Sequence, residues 1–342
     1  MRKQIKVKFV DFHQGFRPKE SFLFGRLWQH YDVVLSDNPD WLFFSVFGNN
    51  HLAYNNCVKI FWTGENQAPD FNLCDYAIGF EHMHFADRYM RLPIWILYPT
   101  DVQLMQTKHQ QIDYSQKTEF CNFVYSNSNA SPARQLFYDT LSQYKHINSG
   151  GRYHNNIGHP VQDKLSFQQK HKFTIAFENT SHSGYTTEKL VQAFAAQTIP
   201  IYWGDPAVAD TFNTGAFIDC HDFPDWESVV SRVREIDQDD NLWLQMMQTP
   251  ALLDPELVTK STKQLDDFLQ HIFNQEPSAA KRYSRDYWVV KQLRIRQREK
   301  RAYDRSLFGI AHNFFTKHIY PYARRHPRAW SLTQRLMQVL KV

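Results

Sequence analysis

The stretch Phe177-Glu-Asn-Thr-Ser-His-Ser-Gly-Tyr-Thr-Thr-Glu-Lys189, followed by Thr198-Ile-Pro-Ile-Tyr-Trp-Gly204, decides the fold. Ile175, Ala176 and Phe177 end one apolar run, and Ile199 to Trp203 make a second. Between them Leu190, Val191 and Phe194 give a short helical stripe. Strand, loop, helix, strand is a βαβ unit, which feeds a parallel sheet and gathers its loops at the carboxyl ends of the strands. The loop carries Asn179, Tyr185, Glu188 and Lys189 where a helix begins. A helix start favours anions. A cation, a carboxylate and an aromatic ring beside it suit an anionic ligand with a ring and hydroxyls, such as a sugar nucleotide.

Working outward, Ile5 to Val10, Asp32 to Leu35, Trp41 to Phe47, Val58 to Trp62 and Tyr76 to Phe80 read as strands, with a helix over Phe22 to Tyr31. Strands alternating with helices predict a first doubly wound domain ending near residue 105. The polar, aperiodic stretch 106–118 reads as a linker. A second domain starts at Phe120-Cys-Asn-Phe-Val-Tyr125. Ser131-Pro132 then offers an N-cap and N1 proline for a helix with Phe137, Leu141 and Tyr144 on one face. Ser149-Gly-Gly-Arg152 looks like a tight reversal. The βαβ unit, a strand Phe217 to Cys220 and a helix from Asp225 follow. The expected boundaries are 1–110, 111–280 and a tail 281–342. Periodicity by itself supports an α/β chain with two sheets.

The formal net charge of +4 hides an asymmetry. Residues 281–342 hold 16 Lys and Arg against 3 Asp and Glu, a net of +13, which leaves −9 for residues 1–280. The tail mixes Leu307, Phe308, Ile310, Phe314 and Phe315 with Arg324, Arg325, Arg328 and Trp330. That pattern predicts an interfacial helix on an anionic membrane surface, with a dimer element or a docked helix as alternatives. Nucleic acid is not an expected partner, because no reader motif accompanies the charge. Cys57, Cys74, Cys121 and Cys220 lie in or beside apolar runs without C-x-x-C spacing, which predicts buried thiols rather than zinc ligands. No leader pattern follows Met1 and no run of ~18 apolar residues occurs, so the expected location is the cytoplasm, with peripheral membrane attachment.

The Phe177–Lys189 and Thr198–Gly204 blocks resemble the donor-binding motif of the α1,3-fucosyltransferases, bacterial type, and five further blocks support it. Thr63-Gly-Glu-Asn66 stands first, then Cys74 to Phe80 with Asp87-Arg-Tyr-Met-Arg-Leu-Pro93, Phe123-Val-Tyr-Ser-Asn127 and Gly150-Gly-Arg152. They run in the family's order over roughly residues 5 to 270. The resemblance implies a GT-B architecture, two Rossmann-like domains facing a cleft. It implies inverting transfer of fucose from GDP-L-fucose to a GlcNAc hydroxyl, α1,3 or α1,4, of a N-acetyllactosamine or lacto-N-biose type glycan in surface polysaccharide. It implies no obligatory cofactor or metal, divalent cations at most stimulating the reaction.

Such a reaction needs a base for the acceptor hydroxyl and a fixed positive field for the leaving diphosphate. Glu65, just past a strand end, is the expected base, and the resemblance implies the same, the matching glutamate of the motif being the family's proposed base. Glu81 in Gly79-Phe-Glu-His-Met-His84 is the rival and an expected acceptor contact, with Trp62 and Asn66. Arg134 and Lys189, each expected in the first turn of a helix, are the diphosphate cations, and the resemblance assigns them so. Glu188 is expected on ribose or fucose hydroxyls, Tyr185 in the nucleotide pocket, Asn179 on sugar or phosphate oxygens, and Ser126 and Asn127 at guanosine. Arg152 is a further phosphate or structural arginine. Asp237-Gln-Asp239 has a metal-binding D-x-D form, but its charged setting predicts a solvated surface. The rival readings are another nucleotide-sugar transferase on this scaffold, or a non-catalytic glycan-binding or nucleic-acid-binding protein with a basic tail.

Overall fold

The computed structural model describes residues 2–107, 117–127, 130–284 and 287–319. They divide into one unit of residues 1–282 and a second from Tyr283 onward.

The first unit holds two parallel sheets. In chain order the first is built from β1 (Gln4–Val10), α1 (Phe22–His30), β2 (Asp32–Leu35), β3 (Trp41–Phe44), β4 (Val58–Trp62), β5 (Tyr76–Gly79) and β6 (Tyr89–Arg91), with strand order β2-β1-β3-β4-β5-β6. All its pairings are parallel. The four residues of β3 are buried, the mark of a central strand covered on both faces, whereas the edge strand β2 has no buried residue. Ser21 starts α1 by accepting the Phe24 N–H at 3.1 Å.

The chain then passes through α2 (Pro99–Thr107) into the second sheet. Its elements are β7 (Glu119–Phe123), α3 (Ala133–Ser142), β8 (Ile147–Ser149), α4 (Lys164–Gln169), β9 (His171–Phe177), α5 (Glu188–Ala195), β10 (Ile199–Trp203) and β11 (Ile218–Asp219). The order is β11-β10-β9-β7-β8. The βαβ unit is β9-α5-β10, paired from Ile199↔Phe173 to Trp203↔Phe177. Leu190, Val191 and Phe194 are buried inside it, each contributing about 1.5–3 kcal/mol of apolar burial.

Three further helices, α6 (Trp226–Gln238), α7 (Asp240–Gln248) and α8 (Leu257–Phe273), end the unit. Although α8 follows the second sheet in sequence, it lies against the first. Phe273 packs on Trp41 with ring centroids 4.8 Å apart, and Asp266 pairs with Arg26. One continuous core therefore joins Ile5, Trp41 and Ile60 of the first sheet to Ala176, Leu190 and Tyr202 of the second.

Several elements differ from the reading of the sequence. The strand expected to run to Phe47 stops at Phe44, because Phe47, Asn50 and His51 turn their N–H groups to Asp11. Residues 89–91 add a sixth strand at the sheet edge. Helix α3 starts one residue late, with Pro132 as N-cap. Most of the expected linker, 108–116, lies outside the described residues. The second unit contains α9 (Tyr287–Arg305) and α10 (Leu307–Phe314); the remainder of the tail, 320–342, lies outside the described residues.

Candidate active site

A cavity of about 310 Å³ opens at the carboxyl ends of β7 and β9 and is walled by α3, α4 and α5. Six of the residues expected at the donor line it: Ser126, Asn127, Arg134, Asn179, Glu188 and Lys189. They come from four chain segments that only the sheet order β9-β7 and the two helix starts bring together.

Arg134 is the second residue of α3, yet only 2% exposed. Its guanidinium lies 4.0 Å from the Tyr125 ring centroid. It donates to the carbonyls of Asn127 and Phe177, at 3.2 Å each, and to Asn179 Oδ1 at 2.8 Å. Its Nε is buried without a partner. A planar cation so held has lost its rotamer freedom before any anion arrives. Tyr125 holds the platform by donating to the Ile175 carbonyl at 2.8 Å and accepting the Phe177 N–H at 2.6 Å.

Lys189 is the second residue of α5. It sits 3.0 Å from Glu178 Oε2, 3.4 Å from Glu188 Oε1 and 3.0 Å from Thr187 Oγ1. Burial works against its charge, but Glu178 and Glu188 outweigh it and hold its pKa above the ordinary lysine value. Burial likewise opposes ionisation of Glu188, and Lys189 with Lys164 overcomes it, leaving Glu188 more acidic than usual. Glu178 is wholly buried, and its desolvation pushes its pKa up despite Lys189. It takes the Thr187 N–H at 2.8 Å and the Thr187 hydroxyl at 2.7 Å, so it caps α5 from below. That N–H is therefore committed to a protein carboxylate.

Reading the sequence missed Glu178, Lys164 and Tyr98. Lys164, on α4, lines the cavity and donates to Gln192 Oε1 at 2.7 Å. Tyr98 packs beside Phe80 and Ile94, where burial first and the nearby Glu188 charge second raise its pKa. Glu178 stood inside the fingerprint block and was legible as a charged residue ending an apolar strand. Lys164 sits in a polar stretch that carries no signal.

Tyr185 is not on this cavity. Its ring packs with Phe80, just past β5, and with Ile94, just past β6, 5.2 Å from the Phe80 centroid. Gly184 makes that seat possible: its φ is +82°, and a Cβ there would lie 2.6 Å from the Phe80 carbonyl oxygen. Asp205 ties the loop down through the Gly184 N–H at 2.8 Å and the Thr186 hydroxyl at 3.0 Å.

The first sheet faces this loop with its own strand ends. Glu65 is exposed just past β4, its N–H donating to Thr63 Oγ1 at 3.1 Å, and its charge acts on Tyr185. Asn66 crosses to the second sheet's loop and donates to Thr180 Oγ1 at 2.7 Å. Trp62 lines a separate cavity with Tyr98. Glu81, at the end of β5, is half-buried. Its Oε2 accepts the Tyr89 hydroxyl at 3.2 Å and its Oε1 has no partner. Desolvation raises its pKa.

Arg152 is exposed and outside the donor cavity. The expectation of a solvated Asp237-Gln-Asp239 is corrected at Asp237, whose side chain is 4% exposed. The Tyr144 hydroxyl and Lys145 bond one carboxylate oxygen, and Lys172 approaches the other at 3.8 Å. Asp239 caps α7. Among the described residues no group of three or more His, Cys, Asp or Glu could hold a metal ion. The four cysteines are buried thiols, not disulfides.

Comparison with known proteins gives the same picture. Residues 7–98 match the family model of the alpha-(1,3)-fucosyltransferase FucT N-terminal domain, and residues 114–294 match that of the glycosyltransferase family 10 (fucosyltransferase) C-terminal domain. Over 267 residues the chain is 36% identical to the alpha-(1,3)-fucosyltransferase FucT of Helicobacter pylori, covering 67% of this chain and 56% of that protein. A putative fucosyltransferase of Acanthamoeba polyphaga mimivirus is 24% identical over 255 residues, 67% of this chain and 41% of its own length. The chain thus spans about half the length of these curated relatives. A crystal structure of an alpha1,3-fucosyltransferase with GDP-fucose superposes with a TM-score of 0.68 at 29% identity, covering 80% of this chain and 91% of that one.

Proposed function

Because the chain belongs to the glycosyltransferase family 10 fucosyltransferases, we propose that it transfers L-fucose from GDP-β-L-fucose to a GlcNAc hydroxyl, with inversion. One observation carries the reading: six residues expected from sequence at the sugar-nucleotide donor line one cavity, Arg134 and Lys189 among them. The acceptor hydroxyl oxygen attacks fucose C1 while the C1–O bond to the β-phosphate breaks. The hydroxyl proton goes to Glu65, and GDP leaves with the bond's electrons. Arg134 and Lys189 hold the charge growing on the diphosphate, which a prearranged field does without a metal. Glu188 holds donor hydroxyls. Asn179, Ser126 and Asn127 hold the nucleotide, and Tyr185 holds the loop rather than the base. Trp62, Asn66 and Glu81 meet the acceptor. Divalent cations stimulate at most.

The natural acceptor on this reading is a N-acetyllactosamine or lacto-N-biose type glycan of a surface polysaccharide, fucosylated at the cytoplasmic face. In the tail, Leu307, Ile310 and Phe314 fall on one face of α10 and are 88%, 55% and 58% exposed. They and the basic residues bind an anionic membrane surface. No helix among the described residues is long and apolar enough to cross a membrane.

Incubation with GDP-fucose and a panel of type 1 and type 2 disaccharides, with the linkage determined by NMR, tests the activity. Turnover of UDP-sugars instead would overturn it. Sedimentation with anionic vesicles, with and without residues 306–342, tests the tail. Full-length protein that ignores vesicles at low salt, or dimerises through the tail, defeats membrane binding.

A further inference from the structure

Two more cavities lie along the carboxyl edge of the first sheet. One, of about 670 Å³, is lined by Trp62 and Tyr98, and Tyr98 lies within reach of the charge of Glu188, which lines the donor cavity. The other, of about 510 Å³, lies over the ends of β1 and β2 and is lined by Lys8, Asp11, Ser36 and Asp37. His13 and Phe16 line both. The strand order puts β1 two strands and β2 three strands from β4, whose end carries Trp62 and leads to Glu65. At about 4.8 Å per strand those separations are about 10 and 14 Å. A single pyranose ring at Glu65 does not cover them; an oligosaccharide does.

The wall between the cavities is built before a ligand arrives. Phe12 and Phe16 stack with centroids 4.1 Å apart at 9°, and Phe12 stacks on Trp62 at 6.1 Å. The loop that carries them begins at Asp11, in the left-handed region with φ 61°. Its carboxylate accepts the Asn50 N–H at 2.8 Å, the His51 N–H at 2.9 Å and His51 Nδ1 at 2.7 Å. That conformation costs energy and persists because its surroundings fix it. The rings thus present a set surface, which cuts the ordering cost of binding.

The charge points to the occupant. Lys8 is paired with Asp37, and the buried Asp11 carboxylate is engaged by Asn50 and His51, so the lining offers an anion no unpaired lysine or arginine. Flat rings beside a neutralised Lys8–Asp37 pair fit the C–H faces and hydroxyls of a neutral sugar.

Resting on the fucosyltransferase reading, we propose that the cavity over β1 and β2 is a distal acceptor subsite. It holds a neutral sugar residue of the acceptor chain, remote from the residue that receives fucose. The test is kcat/KM, per acceptor GlcNAc, for N-acetyllactosamine and its linear dimer and trimer on the full chain. The expected gain from disaccharide to hexasaccharide is about tenfold. Ser36→Trp, which fills the cavity, should bring that ratio toward one, and the milder Lys8→Ala should lower it. Melting curves identify any variant that fails to fold. Equal kcat/KM at every length, or a ratio intact in both folded variants, overturns the subsite. No turnover of any acceptor sinks the fucosyltransferase reading itself, and the subsite with it.

Discussion

Replacing Lys189 by alanine should damage the fold as well as the chemistry, and the two losses can be separated. Lys189 Nζ lies 3.0 and 3.4 Å from the carboxylates of Glu178 and Glu188. At an effective dielectric of about 20, these contacts are worth about 5.5 and 4.9 kcal/mol before desolvation. Much of that offsets the burial of three charges. Removing one partner of such a set typically costs about 3–5 kcal/mol, because the other charges remain buried and uncompensated. At about 2 °C per kcal/mol for a chain of this size, the melting temperature should fall by about 6–10 °C. Glu178, already raised in pKa by burial, rises further without Lys189. Its native state then binds a proton that the unfolded chain releases, so the deficit should be larger at pH 8 than at pH 5. Lys189→Met with Glu178→Gln removes both charges and should recover most of the melting temperature. It should not recover GDP binding, whose loss of about 1.5–3 kcal/mol is about 10- to 150-fold in Kd. Melting curves at the two pH values and titration calorimetry with GDP decide it. A Lys189→Ala protein that melts with the wild type at pH 8, or a double variant no more stable than the single one, refutes the stability argument. A double variant that binds GDP as tightly as wild type refutes the donor role.

Glu65→Gln should lower turnover by roughly 10²–10⁴-fold with GDP affinity retained; if Glu81→Gln has the larger effect, the half-buried carboxylate beside Tyr89 is the base. Gly184→Ala should cost about 1–3 kcal/mol through its backbone conformation, and more through its collision with the Phe80 carbonyl. It should lower transfer, measured by kcat, more than GDP affinity, measured by calorimetry; equal losses would place the loop's role in binding alone. Lys117 is buried, donates to the Gln169 and Ala196 carbonyls, and desolvation brings its pKa down to about 7. Between that value and 10.5 the unfolded chain binds the extra proton, so stability rises with pH in this window. Lys117→Met should remove a slope of up to about 1.4 kcal/mol per pH unit, read from urea melts at pH 7 to 10. An unchanged slope would assign the pH dependence to other groups.

Much of this protein is written locally. The βαβ unit was legible because its strands are short apolar runs and its helix a stripe at 3.6-residue spacing. Six residues that line one cavity were legible as a group because charged and polar types cluster at strand ends and helix starts, where a parallel sheet gathers its loops. Other features depend on what lies far along the chain. That β3 stops at Phe44 follows from the Asp11 carboxylate claiming the N–H groups of the next loop. That Tyr185 packs against Phe80 rather than lining the cavity of Arg134 and Lys189 follows from a space only a glycine at 184 leaves beside the Phe80 carbonyl. That Asp237 is buried follows from Tyr144, Lys145 and Lys172 converging on it from other elements. Lys164 reaches the donor cavity because α4 packs beside α5, and α8 returns to the first sheet because Phe273 finds Trp41 there. Periodicity and residue type report what a segment can bury and where its chemistry can stand. Where a pairing such as Arg26 with Asp266 spans 240 positions, it arises only when a helix that follows the second sheet packs on the first and the two share one core.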